Sequence, residues 1–149
     1  MSFQDELNTK LKEAMREKNT VALESLRAIK SAILLLQTQS GAKETPDDSE
    51  ITKLLQKLVK QRKESASIFR EQGRDDLAEP EEAQIEVISQ FLPEQLSESA
   101  VEKVIDEVIA TVGATTMKDM GKVMGMANKQ LSGQADGKLI AEIVKKRLG

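Results

Sequence analysis

The chain contains no cysteine, histidine, tryptophan or tyrosine, and only 3 phenylalanines in 149 residues. Without cysteine there is no disulfide, thiolate nucleophile, Cys-ligated zinc or iron–sulfur cluster. Without histidine there is no Ser–His–Asp triad, imidazole proton shuttle or histidine metal site. An enzyme built from this alphabet has to work with Asp, Glu, Lys, Arg, Ser and Thr. A binding protein is therefore the stronger expectation, with no catalytic residue, cofactor or metal site assigned. Long apolar runs are missing too. The strongest, Ala32 to Leu36, is far below the roughly 20 residues a membrane span needs, and the N-terminal MSFQDELNTK lacks the apolar run of a targeting signal. No membrane partner is expected. Absent cysteine fits a reducing compartment, and the expected location is cytoplasmic.

What is present points to helices. Hydrophobic residues make up 39% and charged residues 32%, with 8 Gly and 3 Pro, too apolar and too mixed in charge for a disordered chain. Apolar residues recur at three- and four-residue spacing almost throughout, and no alternating strand pattern of convincing length occurs. The fold class is all-α. Phe3, Leu7, Leu11, Ala14 and Met15 define a first helix with Ser2 as its N-cap. A second runs from about Thr20 to Gln37 on Leu23, Leu26, Ile29, Ile33 and Leu36, and residues 38–48 read as a loop. A long third helix, about 49–72, carries Ile51, Leu54, Leu55, Leu58, Ala66 and Phe69 and ends at Gly73. Pro80 is harmless only at the start of a helix, which places the fourth helix from Glu79 as cap to about Gln90.

Pro93 marks the expected domain boundary, giving a four-helix unit over 1–92 and a three-helix unit over 93–149. The first C-terminal helix holds Val101, Val104, Ile105, Val108 and Ile109, capped by Ser97 or Ser99, and stops at Gly113. The second starts after Thr116 with Met117, Met120, Met124, Ala127 and Leu131 on one face. That is core spacing, and no Cys or His joins these methionines to make a metal box. The third starts at Asp136 as N-cap and buries Leu139, Ile140, Ile143, Val144 and Leu148.

Net charge is −3, from 22 basic and 25 acidic residues, which predicts no general attraction to nucleic acid, and no DNA partner is expected. That average hides an asymmetry: residues 1–92 carry 14 basic and 17 acidic side chains, whereas from Met117 onward 7 basic face 3 acidic, a local +4. Within this basic end, Lys118, Lys122 and Lys129 fall within about 40° of one another on a helical wheel, opposite the apolar face. Gly121 and Gly125 lie on the flank beside them. Each interior glycine costs a helix about 1 kcal/mol against alanine, so the pair needs a reason. Close packing of another helix is one; close approach of a ligand backbone, with lysines meeting phosphates, is the other.

Other clusters are less pointed. Gly133-Gln-Ala-Asp-Gly-Lys138 is not a phosphate loop: three residues separate the glycines, Leu139 follows the lysine, and a helix precedes it. A helix start with Lys138 in its first turn can still hold one phosphate. Asp76, Glu79 and Glu82, in a run with Asp75, Glu81 and Glu86, read either as first-turn acids favoured by the helix dipole or as a Mg²⁺ or acid–base cluster. Lys53, Lys57 and Lys60 share one face of the third helix, as solvated surface or as an auxiliary anion contact.

Several strings, in order, resemble one family. Leu23-Glu-Ser-Leu-Arg27, Lys60-Gln-Arg-Lys-Glu-Ser65, Gly73-Arg-Asp-Asp-Leu-Ala78, Phe91-Leu-Pro93, Met120-Gly-Lys-Val-Met-Gly125 and Gly133-Gln-Ala-Asp-Gly-Lys138 look like the YqeY family, stand-alone relatives of the tail domain of the amidotransferase subunit GatB. Phe91 stands where tyrosine is frequent, and Pro80 where a non-proline is common. The resemblance implies tRNA binding at Met120–Gly125 and Gly133–Lys138, without the catalytic body that performs glutamine-dependent amidation in GatB. Any carbon–nitrogen ligase role would belong to a complex. The site residues it implies, joined to those read from the helical wheel, are Lys118, Gly121, Lys122, Gly125, Lys129, Gly133 and Lys138, extended by Lys145, Lys146 and Arg147 of the last helix. The expected partner is tRNA; the alternative is an adaptor whose GxxxG face and Met126 dock a tRNA synthetase or amidotransferase.

Overall fold

A computed structural model describes residues 2–39 and 46–149. Helix is the only regular structure among them: α1 Phe3–Glu17, α2 Thr20–Gln39, α3 Asp48–Glu71, α4 Asp75–Ser89, α5 Glu98–Val112, a 3₁₀ turn Met117–Asp119, α6 Met120–Gln130 and α7 Gly137–Leu148. The all-α expectation holds. The chain divides into two compact units, Met1–Leu92 and Pro93–Gly149.

Local chemistry sets most of the helix ends. Ser2 and Asp5 cap α1 reciprocally, and Asp47, Ser97 and Asp136 cap α3, α5 and α7. Each side chain satisfies an N–H that the first helical turn leaves unpaired. Gly113 closes α5 at φ 68°. Gly73, at φ 73°, closes α3: its N–H reaches the Arg70 carbonyl, and Arg74 N–H reaches that of Phe69, a paired closure that uses two orphan carbonyls. The loop expected over 38–48 falls mostly on residues 40–45, outside the described ones; Thr38 and Gln39 are still helical.

α4 begins earlier than the sequence implies. Arg74 is its N-cap residue and Pro80 lies inside it. Because the turn at Gly73 already turns the Arg74 carbonyl toward Leu77 and Ala78, the helix is under way before Pro80 is reached. Pro80 then removes one intrahelical bond, on an exposed face.

In the first unit the core is Leu7, Ala14, Leu26, Ile29, Ile33, Ile51, Leu55, Val59 and Ile88, edged by Phe3 and Phe91 at a ring distance of 5.5 Å. Met15, expected on the inner stripe, is 58% exposed. A polar chain ties three helices: Arg62 Nε donates to Gln84 Oε1 at 2.8 Å, and Gln84 Nε2 donates to Glu24 Oε2 at 3.3 Å. Ser25, the only buried polar residue among the described ones, donates to the Val21 carbonyl of its own helix at 2.8 Å. Among described residues, the motif positions Glu24, Ser25 and Arg62 thus have structural work.

The second unit closes over Val101, Ile105, Val108, Val123, Ala127, Leu131, Ile140, Ile143, Val144 and Leu148. Its α6 stripe is Val123–Ala127–Leu131 rather than the methionines; Met120, Met124 and Met126 only edge it, as does Leu139. Met117, also expected inside, is 41% exposed. The reason is local: Thr116 and Asp119 form a reciprocal cap around a 3₁₀ turn, whose three-residue period takes Met117 off the α-helical stripe.

Candidate nucleic-acid interface

α6 is short and one-sided. With Val123, Ala127 and Leu131 buried, its opposite arc holds Gly121, Lys122, Gly125, Asn128 and Lys129, all exposed. Lys122 and Lys129, seven residues apart, lie about 20° from each other on the wheel. Lys118 sits in the 3₁₀ turn instead, so it reaches the basic end from the preceding element, which packs on both α6 and α7. A Cβ built on Gly121 or Gly125 meets nothing within 4 Å. Packing of a helix of this chain is therefore not what the glycines are for, among the described residues. They leave a strip of bare helix backbone open beside two lysines.

Gly133 is placed differently from Gly121 and Gly125. It is buried, at φ 76°, in the turn between α6 and α7. Its carbonyl accepts from Gln95 Nε2 at 2.6 Å, and the neighbouring Gln134 carbonyl accepts from Leu96 N–H at 3.0 Å. Gly133 thus holds the turn and exposes no backbone. The exposed part of its motif is Asp136, Gly137 and Lys138. Asp136 Oδ1 accepts from Lys138 N–H at 3.3 Å, so a carboxylate already occupies one of the donors that a phosphate at this helix start would use.

Arg147 is also engaged elsewhere. Its guanidinium pairs with Asp106 at 2.8 Å and Glu102 at 3.6 Å, tying α7 to α5. The hydrogen bond it donates to Asp106 pushes its pKa above the ordinary arginine value. Lys118, Lys122, Lys129, Lys138, Lys145 and Lys146 are all exposed, and none pairs with a carboxylate of the described residues. The acids of the second unit concentrate on α5, at Glu98, Glu102, Asp106 and Glu107, against one Lys103. Lys145 and Lys146 form the last turn of α7 with Arg147. The sequence carried no signal for the Arg147 pairing or the Gln95 clasp, since each joins residues about forty positions apart.

The acidic run of the first unit is held by arginines. Arg70 pairs with Glu82 and, at 3.0 Å, with Asp75; Arg74 pairs with Asp76 at 2.9 Å. Their donated hydrogen bonds hold the Glu82 and Asp76 carboxyls below the usual range. Among the described residues no group of acidic side chains is placed to hold a metal ion, and no helix is long and apolar enough to cross a membrane.

Residues 4–148 match the family described as Yqey-like protein. The chain is 40% identical over 86 residues to "Altered inheritance of mitochondria protein 41, mitochondrial" of Clavispora lusitaniae, covering 58% of this chain and 49% of that one. It is 40% identical over 82 residues to the protein of the same name in Pyrenophora tritici-repentis, covering 55% and 44%. An uncharacterized Schizosaccharomyces pombe protein is 33% identical over 96 residues, 64% of this chain and 76% of its own. The chain spans about half the length of the mitochondrial relatives it matches. Their naming contradicts the expected cytoplasmic location. Missing cysteine could not have decided the point, because any reducing compartment tolerates it.

Proposed function

This chain belongs to the YqeY-like family, and from that membership we propose that it is a tRNA-binding accessory protein acting through its C-terminal unit. The observation that carries this is the open strip at Gly121 and Gly125, where a Cβ would meet nothing within 4 Å, beside the unpaired Lys122 and Lys129. Glycine there lets an RNA backbone come close to the helix, and the ammonium groups meet its phosphates. Lys118, Lys138, Lys145 and Lys146 supply further phosphate contacts on the same unit. Gly133 acts at one remove, by shaping the turn that presents Lys138. With no Tyr or Trp, base stacking is nearly unavailable, so recognition is by backbone and shape. A relation to the GatB tail is consistent with this use of the unit, and no amidation chemistry is assigned to the chain.

Titration of unfractionated tRNA at two salt concentrations tests the reading. About three phosphate contacts give a log–log salt slope on the order of −3. Lys122→Glu with Lys129→Glu should weaken binding strongly while leaving the helical circular-dichroism signal intact; unchanged affinity in that folded double variant removes the α6 strip from the site. The adaptor alternative is separated by capture from lysate with and without RNase. Material that persists after RNase favours a protein partner, and its disappearance favours RNA.

A further inference from the structure

α2 and α3 are both long, yet they meet sparingly: α2 packs mainly on α1 and α4, and α3 mainly on α4. The two helices therefore diverge and leave an open groove of about 430 Å³. Its floor is apolar, with Leu36 on α2 and Leu54 and Leu58 on α3. Leu35 stands on the α2 lip, 58% exposed, where an isolated surface leucine is ordinary but one continuous with an apolar groove is not. The stretch of α3 that lines it, Glu50 to Gln61, is about 16 Å long, room for three turns of a guest helix.

The two lips differ in charge. On the α3 side Lys53 and Lys57 project one turn apart; both are exposed, and neither pairs with a carboxylate of the described residues. Glu50 is the one acid on that lip, and the α2 lip carries Ala32 and Gln39 with no charge. Two unpaired cations at helical spacing, in a unit whose net charge is negative, ask for two carboxylates at the same spacing. A lipid carboxylate would meet only one of them, and a second copy of this groove would bring lysine against lysine.

We propose that the groove between α2 and α3 docks a partner helix that is amphipathic, with leucine-like anchors on one face and an acidic flank turned toward Lys53 and Lys57. The apolar anchors enter between Leu35, Leu54 and Leu58, and the acidic flank fixes which way round the guest lies. This surface is separate from the lysines of α6 and stands whether or not they bind RNA.

The test uses the full chain and two labelled synthetic helices of about 18 residues, identical in their leucine face, one with glutamates and one with lysines along the flank. Fluorescence anisotropy should show the glutamate helix binding in the micromolar range and the lysine helix binding at least about tenfold more weakly. Lys53→Glu with Lys57→Glu, both exposed and safe for folding, should reverse that order, and Leu35→Asp should abolish binding of both. Lys122→Glu with Lys129→Glu should change nothing here, which separates this proposal from the RNA reading. Equal binding of the two helices, no binding of either by the wild-type chain, competition by a fatty acid, or a wild-type dimer that Leu35→Asp dissolves would each overturn it.

Discussion

Gln95 donates its side-chain amide to the carbonyl of Gly133 at 2.6 Å, across 38 residues of sequence, and to the Pro93 carbonyl at 2.9 Å. The segment that leads into α5 is thereby clasped to the turn between α6 and α7. Two substitutions should reveal it. Gln95→Ala leaves the Gly133 carbonyl short of a partner and should destabilise the second unit by about 1 kcal/mol. Gly133→Ala places a Cβ at φ 76°, and should destabilise it by about 1–2 kcal/mol. The double variant should lose less than the two effects added, because both act on one contact. Urea unfolding of the four proteins measures the cycle.

Pro80 should be replaceable with gain. It lies within α4 on the exposed side, where its ring blocks one bond to the carbonyl of Asp76. Pro80→Ala restores that bond, and should stabilise the first unit by about 1–3 kcal/mol. A rise in the thermal midpoint without loss of helical signal is the expected result.

Where an element is decided by its own few residues, it was readable in advance. Ser2, Gly73, Ser97, Gly113 and Asp136 announce helix ends because each acts on backbone groups within one turn of itself. Pro80 points to a later start because the start of α4 is decided seven residues upstream, by the left-handed Gly73 that hands the chain from α3 to α4. Met117 misled because a threonine–aspartate cap tightened one turn to 3₁₀. The site divides along the same line. The lysine and glycine arc of α6 follows from spacing alone, whereas Gly133 and Arg147 look like its neighbours in sequence and are claimed by Gln95, Asp106 and Glu102 from another helix or segment.

Acid should loosen the first unit through Asp76 and Glu82. Arg74 and Arg70 hold these carboxyls below their ordinary range, so the folded state binds their protons more weakly than the unfolded chain. Their contribution is complete above the ordinary carboxylate pKa of about 4, and is lost as pH falls through the depressed folded values. All four side chains are well exposed, and the effect should be small and weakened by salt. Urea midpoints taken from pH 7 down to pH 3 should fall less steeply in Arg70→Ala with Arg74→Ala than in the wild type.

Gly121→Ala and Gly125→Ala should raise stability and lower RNA affinity in the same molecule. Neither methyl meets an atom within 4 Å, and neither position has a positive φ, so nothing in the chain opposes the change. Helix propensity then favours alanine by about 1 kcal/mol at each site, and the second unit should melt later. If the glycines serve packing inside the chain, substitution should destabilise instead, which the open space argues against. If they serve a ligand, the added methyls stand where its backbone must approach, so affinity for tRNA should fall although Lys122 and Lys129 are untouched. A later melt with unchanged tRNA affinity would separate the glycines from the lysines and leave binding to charge alone. Differential scanning calorimetry and tRNA titration on the wild type, each single variant and the double variant distinguish these outcomes.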